Sequence, residues 1–139
     1  MEGKRMNMIF DAGALIAFLR HEQGAEVTRQ IFRDRQNICY VHAVNLCEVF
    51  YDFRRQSDES VAQQVIRNLL SIGLIARNYM DESFWQQAGR YKAELRRISL
   101  ADCFCMALAQ RLKGIVITTD HHEFDVVAEK NIIPVKFIR

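Results

Sequence analysis

One proline and six glycines in 139 residues are too few and too scattered to make a linker, so nothing marks a boundary between domains. No run of about 18 apolar residues occurs, which leaves nothing to cross a bilayer as a helix. Charge of one sign is scarce as well. A formal net charge of +2 is too small to assign a nucleic-acid partner on electrostatics alone. The four cysteines, Cys39, Cys47, Cys103 and Cys105, match neither zinc-ribbon nor C-x-x-C redox spacing. Each stands in an apolar stretch, so reduced core thiols are expected. The short apolar run behind Lys4 and Arg5 stops at Asp11, which is too soon for the h-region of a secretion signal. A cytoplasmic protein is expected, with residues 1–6 a leader or a disordered start. Neither G-x-x-x-x-G-K-[ST] nor G-x-G-x-x-G is present, which excludes the common nucleotide-binding frames.

What is there is ordinary globular material, 50% apolar and 26% charged, enough for one domain spanning residues 1–139 with a single sizeable core. Met8-Ile9-Phe10 reads as a short strand that ends at an acid, and Ala12 to Arg20 as a helix with Ala14, Leu15, Phe18 and Leu19 on one side. Ala25 to Arg35 is a more polar helix, Ile38 to Val41 a second strand, and Ala43 to Arg55 a helix apolar on more than one side. Ser57 or Asp58 caps the next helix, whose Val61, Val65 and Leu69 recur every four residues and predict its core face. Leu74 to Ala76 is a third strand. Asp81 to Arg97 is an amphipathic helix with Phe84, Ala88, Tyr91 and Leu95 inward, and Leu100 to Lys113 another that ends at Gly114. Ile115-Val116-Ile117 is the β-branched run of a strand buried on both faces, and Pro134 to Ile138 closes the chain. Strands alternate with helices, the pattern of an α/β fold with a mostly parallel sheet and right-handed crossovers.

Asp11 follows the first strand and Asp120 the fourth, so both leave their strands at the carboxyl end. All such ends of a parallel sheet share one edge, where open α/β sheets place ligands. Each Asp also suits the N-cap of the helix behind it. Glu48 lies within a helix among Val44, Cys47, Phe50 and Tyr51, and a carboxylate in such company is costly unless paired or turned to water. Ser99-Leu100-Ala101-Asp102 fits the [ST]-x-x-[DE] box that opens a helix. Taken together the four say more than they do singly. Two such charges about 5 Å apart repel by roughly 3 kcal/mol at an effective dielectric near 20, so stability alone would not assemble them. A divalent cation reverses that sign, and hard oxygen ligands with no His or Cys among them suit Mg²⁺ or Mn²⁺.

The set Ile9-Phe10-Asp11-Ala12-Gly13-Ala14-Leu15, Glu48, Ser99-Leu100-Ala101-Asp102-Cys103 and Ile117-Thr118-Thr119-Asp120 followed by Phe124 resembles a PIN domain, and in length and spacing the VapC-type toxins. The resemblance covers almost the whole chain. It implies a three-layer, Rossmann-like fold with a mostly parallel sheet of four or five strands and helices on both faces. It further implies an Mg²⁺- or Mn²⁺-dependent endoribonuclease with Asp11, Glu48, Asp102 and Asp120 as catalytic metal ligands, and Thr118 and Thr119 as supporting hydroxyls. A homodimer, an RNA substrate and a cognate antitoxin protein are implied as partners. One departure stands at Gly13, where relatives usually carry Ser or Thr. It motivates an alternative, a catalytically silent module of the same fold that binds RNA or a protein.

Other residues carry weaker expectations. Arginines outnumber lysines fourteen to five, and Arg54, Arg55, Arg96 and Arg97 are candidates to hold an RNA backbone, although paired charges at helix ends are commonly just solvated. Glu123 stands close enough to Asp120 to support a metal. His121 and His122 point in different directions on a helix and do not easily share an ion. Val61, Val65 and Leu69 suit core packing better than a groove for an antitoxin helix. Trp85, with Phe84 and Tyr91, fits core filling better than base stacking. A receiver domain is excluded because Arg77, not an acceptor Asp, follows the third strand. A haloacid-type phosphatase is excluded because Gly13 replaces the second acid of Asp-x-Asp.

Overall fold

The strand expected at Met8 to Phe10 runs over Met6–Phe10 (β1) and lies at the centre of the sheet. The computed structural model describes residues 5–139. Residues 1–4 of the expected leader lie outside the described residues, and Met6 is corrected to strand, paired with Asn37. In chain order there follow α1 (Ala12–Leu19), α2 (Ala25–Arg33), β2 (Asn37–His42), α3 (Ala43–Gln56), α4 (Glu59–Ser71), β3 (Ile75–Arg77), α5 (Glu82–Leu95), α6 (Leu100–Leu112), β4 (Ile115–Thr118), α7 (His121–Glu129) and β5 (Val135–Phe137). The sheet order is β3-β2-β1-β4-β5 and every pairing is parallel. The chain moves outward on one side of β1 through β2 and β3, and on the other through β4 and β5. Strand order therefore reverses at β1, and the crevice at its carboxyl end is where such a sheet accepts a ligand.

Alternation along the strands separates two cores. Ile9 and Val116 point to one face, against Phe84, Ala88 and Tyr91 of α5, Met106 and Leu108 of α6, and Phe124 and Val127 of α7. Met8, Phe10 and Ile117 point to the other, against Leu15 of α1, Ile31 of α2, Val49 of α3 and Leu69 of α4. Helices on both faces of a parallel sheet make three layers, as the βαβ pattern requires.

Three expectations about packing need correction. The buried face of α4 is Ala62 and Leu69, with Ile66 partly buried between them, whereas Val61 is exposed. The inward stripe meets the expected one at Leu69 and is one residue out of step before it, because three- and four-residue spacings alternate around a 3.6-residue turn. Cys39, Cys103 and Cys105 are buried, but Cys47 is exposed on α3. Helix α6 ends with Lys113 in the left-handed conformation, at φ 53°. Gly114 serves a different need: a Cβ there would stand 2.7 Å from the Asn7 carbonyl oxygen, so only glycine lets the chain turn in beside β1.

Candidate metal centre

Asp11 is the first residue beyond β1. Its N–H donates to the Ile117 carbonyl at 3.1 Å, which carries the β1–β4 ladder one residue past the strand and sets Asp11 beside Thr118. The Asp11 side chain is both cap and site group. Oδ1 accepts from the Ala14 N–H at 2.8 Å, and Oδ2 accepts from the Thr118 hydroxyl. Thr118 Oγ1 in turn accepts from the Asp120 N–H at 2.9 Å. One buried hydroxyl thus ties the ends of the two central strands together.

Asp120 caps α7, with Oδ1 accepting from the Glu123 N–H at 3.0 Å. Ser99 caps α6, its Oγ accepting from the Asp102 N–H at 3.1 Å. In a reciprocal capping box the acid would return to the Ser99 N–H. Here that N–H donates to Glu123 Oε1 of another helix at 2.5 Å, and the Asp102 carboxyl is left to the crevice. Oxygens of Asp102, Asp120 and Glu123 lie within 4.8 Å of one another. Asp11 and Glu48 border this triad closely enough for their charges to act on Asp102.

Electrostatics agree with the geometry. Burial, at 3% exposure, pushes the Asp11 carboxyl up to about 7, and the nearby Asp120 and Glu48 push the same way against the Thr118 and Ala14 hydrogen bonds. Burial pushes Asp102 up to about 10, helped by the Glu123 carboxylate against which it keeps a proton, and by the charges of Asp11 and Glu48. Glu123 is raised by burial, but its hydrogen bonds with Asp102, the Ser99 N–H and Asp120 outweigh that and hold it below its ordinary value. Glu48 is raised by burial against a hydrogen bond from Asn45, with Glu123 adding repulsion. Carboxyl groups from α6, the β4–α7 turn and α7 therefore meet at one rim, with Asp11 just past β1 and Glu48 of α3 near enough for their charges to be felt there. No lysine or arginine makes an ion pair with any of them among the described residues. A donor set made only of carboxyl oxygens, with no basic side chain paired to it, fits a hard divalent cation.

The family model described as PIN domain matches residues 8–130. The chain belongs to the PIN domain family. Among curated protein sequences none matches it. Its fold is similar to that of several solved structures. The DNA-bound VapBC of Salmonella typhimurium superposes with a TM-score of 0.73 at 15% identity, covering 96% of this chain and 99% of that one. A toxin-antitoxin complex from Klebsiella pneumoniae gives 0.72 at 19%, covering 95% and 98%. VapC20 of Mycobacterium tuberculosis, a toxin that cleaves the sarcin-ricin loop, gives 0.68 at 11%, covering 86% and 94%.

Within this PIN domain two site-shaping residues escaped sequence reasoning. Asn45 is fully buried one turn before Glu48 and donates from Nδ2 to Glu48 Oε1 at 3.3 Å and to the Ala101 carbonyl at 3.2 Å. It links α3 to the first turn of α6, and its Oδ1 has no partner among the described residues. His42 ends β2 and caps α3, with Nδ1 accepting from the Val44 N–H at 3.1 Å and Nε2 lying 3.0 Å from the Tyr79 carbonyl. Its ring stacks on Phe84 and Phe104, and burial lowers its pKa, so it is a neutral strut. The signal for Asn45 was there, since an Asn three residues before a Glu shares its helix face.

The arginine candidates divide. Arg54 and Arg55 lie in the last turn of α3 and pair with Glu59 at 3.1 Å and Asp52 at 2.9 Å. Arg54 is six residues beyond Glu48, about 9 Å along the helix axis. Arg96 and Arg97 are exposed in the turn leading to Ser99, beside the Glu123 contact, and make no ion pair among the described residues. Helix α5 stops at Leu95, short of the expected Arg97, because Arg96 adopts φ 53°. His121 stacks on Phe137 and reaches Asp125 and the Arg139 carbonyl. Trp85, expected in the core, is corrected to 48% exposed, because it lies one residue round the helix from the buried face; Phe84 and Tyr91 are core, as expected.

Proposed function

We propose that this PIN domain is a divalent-metal-dependent endoribonuclease that hydrolyses RNA phosphodiester bonds, and that it is the toxin of a toxin-antitoxin pair. The observation that carries the reading is the Asp102, Asp120 and Glu123 cluster, whose oxygens lie within 4.8 Å of one another, with buried Asp11 and half-buried Glu48 beside it. Folding has placed like charges in a desolvated crevice, and a cation is the economical reason. Asp11, Glu48, Asp102 and Asp120 would hold Mg²⁺ or Mn²⁺, with Glu123 beside them. When bound, such an ion polarises a phosphate oxygen and lowers the pKa of water.

The chain's own groups prepare the site. The Ala14 N–H and Thr118 hydroxyl fix both oxygens of Asp11, the Glu123 N–H fixes Asp120, and Asn45 holds Glu48. Buried Cys105 and Ala12 keep the neighbourhood of the acids apolar. Arg96 and Arg97 offer exposed cations for an RNA backbone approaching the α5–α6 turn. The VapC likeness supports a cytoplasmic homodimer with a cognate antitoxin. No helix among the described residues is long and apolar enough to cross a membrane.

Purified protein supplied with Mn²⁺ or Mg²⁺ should degrade RNA, and Asp11→Asn should stop it while leaving the circular dichroism spectrum intact. Equal cleavage by the wild type and the variant would refute the enzyme reading.

A further inference from the structure

Gly13 is the second residue of α1, and its backbone is not left-handed, so no conformational need calls for glycine there. Glycine at a helical position is less stable than alanine. The reason for it is steric. A Cβ on Gly13 would stand 3.1 Å from Thr119 Oγ1, tighter than an ordinary contact, and 3.7 Å from Asp11 Oδ1. The missing side chain leaves room for a hydroxyl beside the first acid.

The two threonines after β4 differ in what their hydroxyls do. Thr118 is fully buried and engaged, donating to Asp11 and accepting from the Asp120 N–H. Thr119 is half-buried, and no described residue hydrogen-bonds to its hydroxyl. Its surroundings are rich in acceptors. Ionised carboxylates can only accept, so an anionic phosphate oxygen brought among them needs a donor from elsewhere. The Thr119 hydroxyl is an uncommitted donor at that rim.

We propose that Thr119 Oγ1 donates to an anionic phosphate oxygen of bound RNA, and that Gly13 is the complementary gap that lets it do so. The proposal rests on the nuclease reading above and adds a substrate-contacting residue to it.

The test uses the full chain with Mn²⁺ and one 5′-labelled RNA oligonucleotide that the wild type cuts. Thr119→Val, which keeps the shape and loses the hydroxyl, should slow single-turnover cleavage by at least about tenfold. Its melting temperature should stay within about 2 °C of wild type, and its Mn²⁺ affinity should be unchanged. Thr119→Ser should recover most of the rate. Gly13→Ser/Thr119→Ala, in which no γ atom stands against the new side chain, should recover part of the rate that Thr119→Ala loses, by returning a hydroxyl from the facing position. A second measurement needs neither metal nor RNA. In EDTA, Gly13→Ala should raise the melting temperature more in a Thr119→Ala background than in the wild type, because the clash has gone. Thr119→Val cutting at the wild-type rate, or additive melting shifts for the two alanine changes, would overturn the proposal and leave the nuclease reading standing. A wild type that cuts no RNA with either ion would sink both.

Discussion

Asp102 stands beside Glu123 instead of folding back onto the helix end that Ser99 caps. The serine supplies the cap, Glu123 takes the Ser99 N–H, and the aspartate is released into the crevice with a proton it would not keep in water. Asp102→Asn replaces that protonated carboxyl with a neutral group that also donates to Glu123. Without metal the variant should melt at or above the wild-type temperature. Its cleavage should fall by more than the roughly 10–100-fold typical of residues lying behind a metal ligand. A marked drop in metal-free melting temperature would mean that Asp102 is a structural cap.

The raised carboxyls predict a pH dependence of stability. Asp11 and Asp102 have folded-state pKa values of about 7 and about 10 against an ordinary 3.8, so the native state binds more protons than the unfolded chain between those limits. Their contribution is complete below the unfolded value and is lost as pH rises, through about 7 for Asp11 and about 10 for Asp102. Glu123 acts in the opposite sense, its contribution disappearing as pH falls through its lowered pKa. So does buried His42, whose lowered pKa costs stability as pH falls below its ordinary 6.5; the two raised acids together outweigh that one imidazole. In EDTA the melting temperature should be higher at about pH 5 than at about pH 8, and Mn²⁺ should flatten the difference. A metal-free melting temperature that climbs over this range would contradict the assignment.

Asn45 makes the third prediction. Its amide joins Glu48 to the α6 backbone from a fully buried position. Asn45→Ala should cost about 1–3 kcal/mol of stability and weaken Mn²⁺ binding by roughly 10–100-fold. Titration calorimetry and thermal melts check both. Unchanged metal affinity would show that Glu48 needs no such support.

The arginines make the fourth. Arg96→Ala and Arg97→Ala should each weaken RNA binding and reduce its salt slope by about 1. Arg54→Ala breaks an exposed ion pair, and Arg55→Ala removes an exposed guanidinium from Tyr51 and from Asp52, which keeps Arg20 as a partner. Each should change stability by about 0–1 kcal/mol and RNA affinity little. Filter binding across a salt series distinguishes the pairs, and the reverse order would move the RNA path to the end of α3.

Much of the site was legible in the chain because strand ends are legible. Phe10-Asp11 and Thr118-Thr119-Asp120 place acids where apolar β runs stop, and a parallel sheet brings those ends to one edge. Glu48 stood out because its helix neighbours are apolar. What stayed hidden depends on rotation about helix axes and on contacts between distant segments. Val61 read as core from its spacing and Cys47 from its apolar neighbours, yet each lies on the outward side of its helix. His42 and Asn45 are common polar residues whose burial follows only from how α3 meets α5 and α6. Glu123 was visible as a supporting acid, but its bond to the Ser99 N–H, which frees Asp102, joins residues 24 apart in sequence.

The most direct measurement is calorimetric titration of Mn²⁺ into metal-free protein near neutral pH, in buffers of different ionisation enthalpy. If the acids hold protons that a cation displaces, wild-type binding releases about one proton or more. Asp102→Asn should bind more weakly and release fewer. No binding heat, or binding with no proton release and no loss on substituting Asp102, would show that these acids meet for some purpose other than holding a metal.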